Sequence, residues 1–110
     1  MTTFDEREKA FERKFAHDEE LRFKATVRRD KLFGLWAAGQ LGIKGDEAET
    51  YAKSVVKADF KEPGDQDILG KVKADLDAKG VDCTEGKLRN ILADKMSEAI
   101  RQIEAEGKAS

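Results

Sequence analysis

Lys24, Arg28, Arg29 and Lys31 form the densest cluster of cations in this 110-residue chain. Lys24, Arg28 and Lys31 follow one another at offsets of four and three, so a helix lines all three on one face, with Arg29 about 100° around the axis. Such a face can hold the phosphates of an anionic ligand through charge-assisted hydrogen bonds. It can equally be a solvated face, because Glu20 stands four residues before Lys24 and pairs of that kind neutralise each other. The other chemistry-bearing residues do not assemble into a catalytic or metal site. Gly80 to Lys87 reads GVDCTEGK, with five residues between its glycines and Leu88 after the lysine. A phosphate-cradling loop needs four and a Ser or Thr, so a glycine stop followed by a Thr84 cap accounts for the stretch. His17 and Glu20 lie one turn apart, but the chain has a single His and a single Cys, too few for a metal's ligand set. Cys83 has no neighbouring His or basic cluster to generate a thiolate, and alone it excludes an internal disulfide. These residues describe a binding module and not an enzyme, with no tightly bound cofactor expected.

Composition narrows the partners. Charged residues make up 40% of the chain, 21 Lys and Arg against 23 Asp and Glu, for a net charge of −2. A nucleic-acid binder would show a basic excess, and none is present. Leu, Ile, Val and Phe number 24, just enough for one modest core in a single domain. The start, MTTFDEREKAFERKF, carries both charge signs and lacks the apolar stretch of a secretory signal. The longest uncharged run, Leu32 to Ile43, is 12 residues, short of the roughly 20 that span a bilayer. A cytoplasmic module without membrane insertion, monomeric when free, is expected.

The elements that position the cluster are all helical. Helix formers dominate every segment between three breaks, at Gly42–Gly45, at Pro63–Asp65 and at Gly80–Thr84. The first helix begins at Asp18, a cap, and ends at Gly42, a left-handed stop. Leu21, Ala25, Arg28, Leu32, Leu35 and Gly39 form its expected inner stripe, widened by Trp36, with Phe23 and Val27 as a second flank. The second helix runs from Asp46 to about Phe60 on Ala48, Tyr51, Ala52, Val55, Val56 and Phe60. Asp65 caps a third helix carrying Ile68, Leu69, Val72 and Leu76, and Gly80 stops it. Thr84 caps a fourth with Leu88, Ile91, Leu92, Met96, Ala99, Ile100 and Ile103. The expected fold is all-α: a four-helix bundle over residues 18–106, an N-terminal arm over 1–17 and a fraying tail over 107–110. The expected core is Leu32, Leu35, Trp36, Tyr51, Val55, Val72, Leu76, Leu92 and Met96, with Leu35→Ala costing about 2–5 kcal/mol. In the arm, Phe4, Phe11 and Phe15 share a helical face among charges, which suits either a frayed end or a segment that folds in a partner's groove.

Three stretches carry a resemblance that extends over nearly the whole chain. FAHDEEL from Phe15, RRDKLFGLWAA from Arg28 and ADFKEPGD from Ala58 are distinctive, and with FDEREKAFERKF before them the sequence resembles the zeta-subunit family of alphaproteobacterial F-type ATP synthases. The family pattern has Asn at the position of Asp30 and Leu at that of Phe33. The resemblance implies a four-helix bundle that inhibits ATP hydrolysis at the catalytic head of the synthase. It also implies that ADP or ATP binds the bundle as a weak ligand without a phosphate loop. Inhibition is attributed in the family to the N-terminal arm, which inserts at a catalytic interface, so the protein would sit at the periphery of the inner membrane when docked. On that reading Phe4, Phe11 and Phe15 are the apolar anchor, and Asp5, Glu6, Arg7, Glu8 and Lys9 its polar rim. Charge and aromaticity, rather than the family pattern, then suggest Lys24, Arg28, Arg29 and Lys31 as phosphate contacts, with Phe23 or Trp36 near the base. The competing expectation is a nucleotide-sensing helical adaptor that keeps the fold and inhibits weakly or not at all.

Overall fold

Asp18 opens the first helix as its composition suggests: its Oδ1 accepts from the Leu21 N–H at 3.1 Å, satisfying one of the orphan donors of the first turn. In this computed structural model residues 18–60 and 64–109 are described, so the expected arm, residues 1–17, lies outside the described residues. Four helices follow in order: α1 (Glu19–Leu41), α2 (Asp46–Asp59), α3 (Gln66–Ala78) and α4 (Glu85–Ala109). No strand occurs among the described residues, and the expected all-α bundle is what the chain forms. Gly42, at φ 77°, turns the chain out of α1 while the Ile43 N–H donates to the Ala38 carbonyl at 2.9 Å. Gly80 does the same for α3 at φ 75°, with the Val81 N–H on the Leu76 carbonyl. Thr84 caps α4, its Oγ1 accepting from the Lys87 N–H at 3.1 Å. Asp65 holds the cap position of α3, yet its side chain makes no cap bond, because its carboxylate is turned onto Arg29.

α1 packs against each of the other three helices, most extensively against α2 and α4. Phe33, Ala37 and Leu41 of α1 share the main core with Val55 of α2, Ile68, Leu69, Val72 and Leu76 of α3, and Leu88 and Leu92 of α4. A smaller cluster joins Ala25 to Ile100 and Ile103, with Leu21 and Met96 against it. Early α1 therefore meets late α4 and later α1 meets early α4, an antiparallel pairing.

The inner face of α1 differs from the stripe read in the sequence. Its buried residues are Ala25, Arg29, Asp30, Phe33, Gly34, Ala37, Ala38 and Leu41. Leu32, Leu35 and Trp36 are only half-buried, Arg28 is at the rim and Gly39 is exposed. The physical reason is the approach of α2. A Cβ added to Gly34 would stand 2.7 Å from the Ala52 Cα, so the helices touch backbone to backbone at this point. Only a residue without a side chain allows that, and Gly34 supplies it on the buried face that also carries Ala37 and Ala38. Of the rest of the expected core, Val55, Val72, Leu76 and Leu92 are buried, whereas Tyr51 and Met96 are half-buried. The Tyr51 hydroxyl donates to Asp75 Oδ2 at 2.7 Å, which keeps the tip of the ring at the surface while its body packs. Phe60, counted with the inner stripe of α2, is 50% exposed and lies instead against Phe23, with ring centroids 5.4 Å apart.

Candidate functional site

Of the four cations of the α1 cluster, Arg28 and Lys24 face Glu106 of α4, whereas Arg29 and Lys31 have other neighbours. Arg28 spans to α4, donating to both oxygens of Glu106 at 2.6 and 3.0 Å and to Gln102 Oε1 at 2.9 Å. That hydrogen bonding raises the Arg28 pKa and lowers that of Glu106, so the pair stays ionised. Lys31 reaches Glu49 of α2 at 3.6 Å across an exposed surface, and Lys24 is exposed on the same stretch of helix. Phe23 is 59% exposed beside Phe60, while Trp36 is half-buried and stacked on Phe33 at 5.9 Å. Lys24 and Arg28 thus share a neighbour, while Arg29, Lys31, Phe23 and Trp36 make their contacts elsewhere.

Arg29 is the exception among these cations, because it is buried and faces a cavity. Its guanidinium lies 2.9 Å from Asp30 Oδ1, 3.4 Å from Asp59 Oδ2 and 3.0 Å from Asp65 Oδ1. Burial works against its charge, but the carboxylates of Asp30 and Asp65 outweigh that cost and raise its pKa. One basic residue therefore ties α1 to the end of α2 and to the start of α3. Asp30 is fully buried, and its Oδ2 has no hydrogen-bond donor. Burial first, and the neighbouring Asp59 carboxyl second, push its pKa from 3.8 up to about 8, with Arg29 opposing.

The cavity beside Arg29 has a volume of about 550 Å³. Ala25, Leu92, Met96 and Ile100 form an apolar floor, and Arg22, Arg29 and Arg89 stand around it with Asp65. Arg89 also pairs with Glu85 at 3.1 Å, one turn back on α4. An apolar slot rimmed by guanidinium groups suits an anion that carries a flat or apolar body. Sequence reasoning passed over Arg22, Arg89 and Asp65, because they come together only when α4 is laid against α1. No group of three or more His, Cys, Asp and Glu is placed to hold a metal ion among the described residues, and Cys83 is buried. No described helix is long and apolar enough to cross a membrane.

The sequence model for ATPase inhibitor subunit zeta matches residues 1–102. The chain belongs to that family. A protein structure solved by solution NMR is 46% identical to this zeta-family chain and has the same fold at a TM-score of 0.70. The match spans 78% of this chain and 98% of that one. No curated protein matches the sequence. The zeta-family match takes in all of residues 1–17 as well as most of the bundle, so the segment expected to form an arm and the cation cluster both fall within it.

Proposed function

We propose that this zeta-family chain is a non-catalytic regulator that suppresses ATP hydrolysis by the catalytic head of an F-type ATP synthase. The observation that carries the reading is the family match, which covers residues 1–102 and so most of the bundle. Residues 1–17 are the inhibitory segment, with Phe4, Phe11 and Phe15 as apolar anchors and Asp5, Glu6, Arg7, Glu8 and Lys9 around them. A segment that orders on binding gives up conformational entropy when it docks, so its affinity is sensitive to single anchor residues. The protein is a free monomer in the cytoplasm and becomes peripheral to the inner membrane by docking on the head. Purified full-length chain, added to a matching head freed of its own inhibitor, lowers hydrolysis while synthesis continues. Unchanged hydrolysis at large molar excess refutes inhibition by this chain.

The bundle also takes ADP or ATP as a weak ligand, with a dissociation constant on the order of 0.1–1 mM that rises with salt. The cavity supports this part of the reading, since Arg29, alone of the six residues suggested from the sequence, lines it together with Arg22 and Arg89. The phosphates meet the guanidinium rim, and Phe23, Lys24, Arg28, Lys31 and Trp36 are left as an outer surface. NMR shift mapping with ADP tests the placement: changes centre on Arg22, Arg29, Arg89 and Met96, and AMP produces smaller ones. ADP binding by a chain that leaves hydrolysis untouched identifies the nucleotide-sensing adaptor instead.

A further inference from the structure

Asp30 and Asp59 present an arrangement that inhibition and nucleotide binding do not use. Asp30 comes from the middle of α1 and Asp59 from the last turn of α2, and both are buried. Arg29 holds both carboxylates with one guanidinium nitrogen, Asp30 Oδ1 at 2.9 Å and Asp59 Oδ2 at 3.4 Å. Asp30 Oδ1 also accepts from Arg29 Nε at 3.0 Å, while its Oδ2 has no donor. Two ionised carboxylates repel in such a place, and a buried acceptor without a donor is costly. One proton on the Asp30 carboxyl removes both problems: it halves the negative charge of the pair and turns Oδ2 into a hydroxyl that can donate.

The other charged groups that face this point come from each element packed around it. α1 supplies Arg29, the end of α2 supplies Asp59, and the approach to α3 supplies Asp65, whose carboxylate Arg29 holds at 3.0 Å. Across the cavity α4 contributes Arg89, and Arg22 stands further along α1. Among the described residues Arg29 is one cation in contact with three carboxylates, so those four groups are one charge short of balance even with a proton on the pair. Without that proton they are two short.

We propose that Asp30, Asp59 and Arg29 form a proton-operated latch that fastens α1 to the α2–α3 junction, closed while the two carboxyls share a proton and released when it leaves. Because Arg29 and Asp65 also line the cavity, release alters the cavity wall. The latch makes the bundle respond to alkali over a range in which ordinary carboxylates are silent.

The direction follows from linkage. The folded Asp30 holds its proton to about pH 8, against 3.8 for an unperturbed side chain, so between those values the folded state binds more protons than the unfolded one. The contribution of this carboxyl to stability is greatest below about pH 4, falls as pH rises, and is gone above about pH 8. Residue-resolved carboxyl 13Cγ NMR of the full chain reads the latch directly. The expected Asp30 midpoint lies near pH 8, and a midpoint in the ordinary carboxylate range, near 4, overturns the proposal. Melting temperature supplies the second reading: the native chain should lose at least about 5 °C between pH 6 and pH 9, and Asp30→Asn should lose much less. Equal losses in the two proteins overturn it. Asp59→Asn gives a third arm that holds even if Asp30→Asn does not fold. Removing the second carboxyl should draw the Asp30 midpoint down by at least one pH unit, and an unmoved midpoint contradicts a shared proton.

Discussion

Two neighbouring stretches of α1 hold α2 by opposite means, and the second also holds the start of α3. At Gly34 the helices meet without polar groups, and the contact is close enough that a Cβ on Gly34 would stand 2.7 Å from the Ala52 Cα. One turn earlier, Arg29 and Asp30 reach Asp59 and Asp65 through buried charges. The first contact depends on shape and has no titrating group. The second depends on charge count, and burying charges requires nearly every one of them to be paired. Fit by small residues gives a joint that is indifferent to pH, whereas fit by ionised residues gives one that solution conditions can loosen.

Substitutions separate these modes, beginning with the largest effect. Phe33 is fully buried at the centre of the main core, and Phe33→Ala should cost about 3–5 kcal/mol in chemical denaturation. Leu35, half-buried on the next face, should lose less than about 2 kcal/mol on the same change. The reverse order would put the leucine stripe inside after all. Gly34→Ala comes next: alanine favours helix by about 1 kcal/mol, yet the clash with α2 should leave a net loss of about 1–3 kcal/mol. A stabilised Gly34→Ala protein would mean that α1 and α2 stand further apart than described here. The smallest effect belongs to the exposed tie between Arg28 and Glu106. Glu106 has a lowered pKa through its hydrogen bond with Arg28, so the tie contributes above the ordinary glutamate range and is lost as pH falls through the folded value. Glu106→Gln should lower the melting temperature slightly at low salt, and the difference should vanish near 1 M salt.

Local signals in the sequence were enough for the helices and for several of their ends, though the last helix continues to Ala109, past the expected start of the tail at 107. Asp18, Gly42, Gly80 and Thr84 act within a turn of where they stand, and each does what its residue type suggests. The rotation of α1 about its axis was not legible in the same way. Hydropathy favours Leu32 and Leu35 over Gly34 and Ala37, but the facing helix selects by size, and that helix is visible only in the fold. Asp65 misled for a related reason, since a cap position does not reveal that a distant arginine claims the side chain. The candidate site shows the limit most clearly. Arg29 pairs with residues 30 and 36 positions away, and the cavity also needs Arg89, Leu92 and Met96 from α4. Spacing along α1 set Arg29 apart from the face of Arg28, and the bundle sends the two to different neighbours that the spacing could not name.

The role of residues 1–17 is the claim on which the functional reading turns. ATP hydrolysis by an inhibitor-free catalytic head, titrated with the full chain and with a chain that begins at Asp18, tests it most directly. The full chain should suppress hydrolysis. The shortened chain should keep its helical circular dichroism and its ADP-induced NMR shifts while leaving hydrolysis at the uninhibited rate. Equal suppression by both chains would contradict the account and move the inhibitory surface onto the bundle.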